Sequence, residues 1–328
     1  MSLATVVWTV DPIAISLGSL EIRWYGILWA IGLILALWIQ EKLYQNEHLP
    51  SDWSDKLFLY MTIGVIVGAR LGHCFFYEWY NVESYAAQYY GINEPVKLFG
   101  LTFNYRNPYI ENPLKLLKIW EGGLSSHGGA FGLIFMAWLL SKKHFKTGLI
   151  WIFDRLVIGI CLCATCIRLG NLMNSEIYGV ATTMPWGFQF NGDTYPDGSP
   201  LYSHPTQIYE MLYCIFAFGI CWWLYWKREA YKYNGLIFGV FLIIIFLTRF
   251  GLEFIKLDQE DFEANHVLNM GQWLSLPFVI WGVWLIIRAL RLGKEEPPRA
   301  VPIAKAYIKA HPETDPELKN TESKKKKK

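Results

Sequence analysis

The chain has 328 residues, of which 53% are hydrophobic and 17% aromatic, with sixteen tryptophans. Its formal net charge of +2 is unevenly placed and points to no nucleic-acid partner. Stretches such as GILWAIGLILALWIQ, FGVFLIIIFL and LSLPFVIWGVWLII approach the roughly 20 apolar residues that cross a bilayer, which excludes a soluble globule and predicts an all-α polytopic membrane protein.

The first twenty residues, MSLATVVWTVDPIAISLGSL, lack a basic segment ahead of an apolar one, so they are expected to stay in the mature chain rather than act as a secretory signal. Hydropathy then predicts about seven transmembrane helices, near residues 17–40, 57–77, 125–141, 148–167, 206–226, 235–256 and 271–290. Basic residues follow the third span (Lys142, Lys143, Lys146), the fifth (Lys227, Arg228, Lys232) and the seventh (Arg288, Arg291, Lys294). Residues 257–272 instead hold Asp258, Glu260, Asp261 and Glu263 with no Lys or Arg. The positive-inside rule therefore puts the N-terminus outside and the C-terminus in the cytoplasm.

Two outside segments, 78–124 and 172–205, are long. The first contains PLKLLKIW, an amphipathic stretch suited to the interface. The second contains the turn formers NGD, PDG and SP and predicts a small extracytoplasmic, hairpin-like cap. Residues 1–292 are thus read as one membrane domain. Residues 293–328, rich in Pro and Lys and ending in five lysines, are expected to be a disordered basic cytoplasmic tail, either merely solubilising or touching anionic lipid. The cysteines Cys74, Cys161, Cys163, Cys166, Cys214 and Cys221 all fall in apolar stretches. Within CLCATC only Cys163 and Cys166 share a helix face, so they read as packing residues rather than metal ligands.

Charge inside hydrocarbon is costly and marks function. Arg70 lies past the middle of the second span and Arg168 closes the fourth. Arg249 lies ~20 Å into a ~30 Å core, with Glu253 one turn further on the same face. Tyr25, His127, His204 and Glu210 stand near the outer ends of their spans. Six spans thus deliver polar groups to one depth, the outer half of the bilayer. Each has a plainer reading: an i,i+4 pair for Arg249 and Glu253, snorkelling for Arg70 and Arg168, a helix cap for His127. Asp154 and Arg155, toward the inner end of the fourth span, are given no role.

Arginine's fixed fork of donors matches phosphate, so the joint pattern points to a phospholipid headgroup. In WEGGLSSHGGAFG (120–132), bare backbone around His127 admits a ligand closely, and a helix start favours an anion. The same glycines, Gly128 and Gly132, equally permit close helix packing. Both readings stand at this level.

These residues resemble a known family. WEGGLSSHGGAFG, IRLGNLMNSEIYG (167–179), SHPTQIYE (203–210) and RFGLEF (249–254), with WYG (24–26) and GARLG (68–72), are similar to the conserved blocks of bacterial prolipoprotein diacylglyceryl transferases, in order from about residue 10 to 290. The resemblance implies an enzyme of the bacterial inner membrane with its active site toward the outer leaflet. Such an enzyme moves the sn-1,2-diacylglyceryl group of phosphatidylglycerol onto the lipobox cysteine of a prolipoprotein, forming a thioether and releasing glycerol phosphate, with no metal or cofactor. By motif position it implies catalytic roles for His127, Arg168, Arg249 and Tyr25. It places Asn171, Glu176, Gly179, Glu210 and Glu253 at the headgroup, to which the depth of Arg70 and the bare backbone of Gly128 and Gly129 add those three residues. His127 is either the thiol's base or a headgroup orienter.

The chain departs from the family at Ser126, where an aromatic is common, at LMNSE after Asn171, and at Lys256, which replaces an arginine. The insertion around 85–108 and the lysine tail are further departures. A carrier or flippase for an anionic lipid or solute is the alternative. It calls for broken midplane helices and an internal repeat, which the sequence does not display.

Overall fold

A computed structural model describes residues 6–18, 20–75, 96–98, 101–103, 113–117, 123, 125–256 and 269–318. Most of the 78–124 segment, the acidic 257–268 loop and the terminal lysines therefore lie outside the described residues. The chain divides into two bodies, one of residues 1–51 with 150–328 and the other of residues 52–149.

The first body opens with strands β1 (Val6–Trp8), β2 (Ile13–Leu17) and β3 (Leu20–Arg23), then helix α1 (Trp24–Asn46). β2 and β3 form a hairpin that turns at Gly18, whose φ of +65° suits glycine. The second body holds α2 (Ser51–His73), the short strands β4 (Val96–Leu98) and β5 (Leu101–Phe103), and α3 (Ser126–Leu140), which continues into a π-turn over Ser141–Phe145. The first body resumes with α4 (Leu149–Met173), β6 (Phe188–Phe190), α5 (Thr206–Arg228), α6 (Leu236–Leu252), α7 (Met270–Leu292) and α8 (Ala300–Ala310). Among the described residues, five helices are long and apolar enough to cross a membrane: Trp24–Asn46, Leu149–Met173, Thr206–Arg228, Leu236–Ile255 and Gly271–Leu292. α2 and α3 occupy the other two expected positions. The first turns of α2 carry Asp52, Asp55 and Lys56, and α3 has 15 residues.

Small residues set the helix contacts. In the second body the Gly64–Gly68–Gly72 stripe of α2 lies against Gly128 and Gly132 of α3. A Cβ on Gly64 would stand 2.7 Å from the Gly132 carbonyl oxygen, and one on Gly72 would stand 2.6 Å from the Gly128 Cα. In the first body a Cβ on Gly32 of α1 would sit 3.1 Å from the Cys163 Cα of α4, and one on Gly159 of α4 3.1 Å from the Ala36 carbonyl oxygen of α1. Gly239 of α6 and Gly282 of α7 approach each other in the same way. Without water to squeeze out, packing of this kind is what holds membrane helices together. Cys161, Cys214 and Cys221 are buried among these helices as packing residues, and no metal-binding group of three acidic, His or Cys residues occurs among the described residues.

Asp154 and Arg155, assigned no role from sequence, are the core's polar anchor. Arg155 is fully buried and forks onto Glu47, with Nε–Oε1 at 3.0 Å and Nη2–Oε2 at 2.7 Å, and it also donates to the Trp151 and Tyr231 carbonyls. Tyr225 of α5 donates to the same Glu47 carboxylate at 2.9 Å. Asp154 accepts from the backbone of Gly235 (2.6 Å) and Phe238 (2.9 Å), so it caps the start of α6. One cluster thereby joins α1, α4, α5 and α6.

Residues 293–318, within the tail expected to be featureless, carry structure. Glu295 donates its N–H to the Lys232 carbonyl, Lys294 pairs with Glu229 at 3.0 Å, and α8 buries Ala300 and Ala304. Ala300 and Ala304, one turn apart on the buried face of α8, supply the physical reason, because their small side chains let the helix seat closely.

Removing Glu47 strands a guanidinium that has no route to water. Glu47→Ala should therefore lower the unfolding free energy by about 3–5 kcal/mol, read as a lower melting temperature in detergent. Adding Arg155→Met to it should recover part of the loss.

Candidate active site

At the other end of α4, about 13 residues or ~20 Å along the helix from Arg155, lies a second cluster of charges. Arg168 of α4 meets Glu210 of α5, Nε to Oε2 at 2.6 Å. The contact is one of charge and distance, because its angles are not those of a hydrogen bond. The same guanidinium donates through Nη1 to Asn171 Oδ1 at 3.2 Å, and Asn171 passes an N–H to Glu176 Oε1 at 2.8 Å. Arg168, Asn171, Glu176 and Glu210 thus form one chain of alternating donors and acceptors. Tyr25, at the start of α1, packs over Gly170, where a Cβ would be 2.8 Å from its ring, and it lies in the electrostatic field of Glu176 and Arg168.

The loop that carries Glu176 is strained. Ser175 and the β-branched Ile177 adopt left-handed φ of +52° and +60°, which costs of order 1–3 kcal/mol each. Two buried side chains from the first turn of α5 hold it. Thr206 Oγ1 donates to the Ile177 carbonyl at 2.8 Å, and Gln207 Nε2 to the Glu176 carbonyl at 2.7 Å. Gly179 then passes between backbones, pairing with Lys256 and donating to the His204 carbonyl at 2.8 Å. A Cβ there would meet Thr206 Cγ2 at 2.8 Å. Gly179 therefore serves close backbone approach. His204 faces the Tyr209 hydroxyl at 3.1 Å, and burial lowers its imidazole below the ordinary value.

The expected Arg249–Glu253 pair does not form. The helix tightens into a 3-10 turn over Glu253–Ile255, and Glu253 faces Lys256 at 3.9 Å and the start of α7 at Gly271. Lys256, noted from sequence only as a departure, is buried and binds Glu210 Oε1 at 2.6 Å. Glu210 therefore lies between two cations. Arg249 is half-buried and, among the described residues, makes no hydrogen bond or ion pair. Arg249 and Arg168 both act electrostatically on the Tyr213 hydroxyl of α5.

The remaining expected site residues belong to the second body. Arg70 is buried, and its Nε and Nη1 donate to the Leu116 and Gly123 carbonyls at 3.2 and 3.3 Å. It binds its own loop and does not snorkel. The N–H groups of Gly128 and Gly129, expected at an anion, are spent: the first on Ser125 Oγ at 3.3 Å, the second on the Ser125 carbonyl at 3.0 Å. Ser125 is therefore the cap, and His127 in the first turn is left exposed. Among the described residues its ring has no hydrogen-bond partner. Of the two readings of these glycines, Gly128 and Gly132 serve packing.

Sequence reasoning missed Thr206, Gln207 and Lys256. The signal was present in each case: polar side chains on the apolar-facing turn of HPTQIYE, and a cation within one turn of Glu253.

Comparison with known proteins agrees with the motif blocks. The family model described as prolipoprotein diacylglyceryl transferase matches residues 12–288. The phosphatidylglycerol–prolipoprotein diacylglyceryl transferase of Porphyromonas gingivalis is 44% identical over 88% of this chain and 96% of its own length. Proteins of the same name from Chloroherpeton thalassium and Tolumonas auensis are 36% and 37% identical, over 89% and 85% of this chain and 97% and 96% of their own lengths.

The two halves of the cluster should respond differently to truncation. Glu210→Ala leaves Arg168 and Lys256 without their shared anion and should cost about 3–5 kcal/mol of stability. Arg249→Ala removes no partner and should leave the melting temperature in detergent unchanged.

Proposed function

Because the chain belongs to the prolipoprotein diacylglyceryl transferase family, we propose that it moves the diacylglyceryl group of phosphatidylglycerol onto the lipobox cysteine of prolipoproteins at the outer leaflet of the bacterial inner membrane. All seven long helices span in this reading, with the N-terminus outside and the C-terminus in the cytoplasm.

The observation that supports the site assignment is the guanidinium of Arg249, which is unpaired among the described residues and acts with Arg168 on the Tyr213 hydroxyl. Inside a bundle a cation without a protein anion is a receptor for an anion brought by a ligand. A phosphodiester headgroup supplies that charge, and a guanidinium fork fits it.

The reaction is a displacement at carbon. The cysteine sulfur bonds to the glycerol carbon that bears the phosphate, the C–O bond to phosphate breaks, and glycerol phosphate leaves with the electron pair. Negative charge grows on the departing oxygen, so Arg249, assisted by Arg168, lowers the barrier most in the transition state. The nucleophile is thiolate, and a free thiol with a pKa of about 8.5 must lose its proton on the way. His127 is assigned as the acceptor of that proton, on its motif position and its exposed ring. Tyr25 presents its hydroxyl to the headgroup. Asn171 and Glu176 orient Arg168. Glu210 and Glu253 hold cations in place without touching the lipid. Gly179 gives the surrounding backbone its close fit.

The test is direct. Purified protein incubated with phosphatidylglycerol and a lipobox peptide should give the diacylglyceryl mass increase on the peptide thiol. Arg249→Ala should lower turnover by about a hundredfold or more, and Arg168→Lys should weaken lipid use. Near-normal turnover by His127→Gln would remove the base assignment.

A further inference from the structure

Arg249 and Glu253 are four residues apart, opposite in charge and in one helical run. Such pairs normally close on each other, and a closed pair would leave no free guanidinium for a lipid phosphate. What keeps them apart is visible at Lys256. Its Nζ stands 2.6 Å from Glu210 Oε1 and 3.9 Å from Glu253 Oε2, and its side chain is 6% exposed. Its backbone is pinned by pairing with Gly179 and by its N–H to the Glu253 carbonyl at 3.4 Å. The Glu253 carboxylate is tucked against Gly271, where even a Cβ would come within 2.6 Å of its Cδ. Arg168 pairs with Glu210, and Lys256 lies between Glu210 and Glu253, whereas Arg249 makes no ion pair among the described residues.

Resting on the transferase reading above, we infer that Lys256 is a positioning residue: it holds Glu253 away from Arg249 and so keeps that guanidinium free for the phosphate of the phospholipid. Without the ammonium, Glu210 and Glu253 face each other with only Arg168 to neutralise both. Rotation of Glu253 onto Arg249, one turn back, relieves that excess. The lipid then has to displace a carboxylate before it binds.

The experiment compares kcat and KM for phosphatidylglycerol, with the lipobox peptide as acceptor, in the full-length wild type, Lys256→Gln, Lys256→Arg and the double variant Lys256→Gln/Glu253→Gln. Lys256→Gln should raise KM by about tenfold, and Lys256→Arg should stay near wild type. The double variant should return KM most of the way, because no rival carboxylate remains for Arg249. A residue with a purely structural role would show no such rescue by removal of a second side chain. An unchanged KM in Lys256→Gln, or a double variant no better than the single, overturns the inference while leaving the transferase reading intact. A wild-type protein that transfers nothing overturns the transferase reading itself. Should Lys256→Gln not fold, the double variant decides alone: a KM near wild type supports the inference, and a tenfold rise contradicts it.

Discussion

An ionised side chain among packed helices needs a counter-charge within reach, because no water is there to replace one. That requirement organises the first body. Glu47 answers Arg155, Glu210 answers Arg168 and Lys256, and the Gly235 and Phe238 N–H groups answer Asp154. Against this background of matched charge, Arg249 stands out by having no match among the described residues. The proposed site rests on that exception.

α4 strings both clusters on one rod. Near its start, Arg155 is closed off on every side and tied to α1 and α5. Near its end, Arg168 is a quarter exposed and shares its anion with Lys256. The same residue types therefore do opposite work ~20 Å apart. The sealed cluster fixes the helices, so that Tyr25 at the head of α1 and Glu210 at the head of α5 arrive beside Arg168 in register. Thr206 and Gln207 add the last constraint by holding Ser175 and Ile177 in conformations that they would not adopt alone.

The helices were legible from hydropathy because bilayer thickness imposes a length on them; a helix stands at each of the seven expected positions, although the first starts at Trp24, after the β2–β3 hairpin, and not at residue 17. The convergence of Arg168, Asn171, Glu176 and Glu210 was legible from topology and motif blocks. Who pairs with whom was not. A sequence places Glu253 one turn from Arg249, yet the 3-10 tightening after Leu252 sends the carboxylate to Lys256 and Gly271. The glycines near His127 were ambiguous for a similar reason: a small residue admits a ligand and a neighbouring helix equally well, and only the position of α2 decides between them. Asp154 and Arg155 looked interfacial because their partners, the Glu47 carboxylate for Arg155 and the Gly235 and Phe238 N–H groups for Asp154, lie far away in sequence. The helix after α7 was missed because Ala300 and Ala304, the two buried alanines of α8, look bland in a Pro- and Lys-rich stretch.

The central claim is that the guanidinium of Arg249, unpaired among the described residues, receives the lipid phosphate. Its most direct measurement is the melting temperature of the detergent-solubilised protein titrated with phosphatidylglycerol, in wild type and Arg249→Ala. Ligand binding raises stability by mass action, so the wild type should gain stability with added lipid. Arg249→Ala should start from the same temperature and gain little. An equal lipid-dependent rise in both proteins would contradict the account.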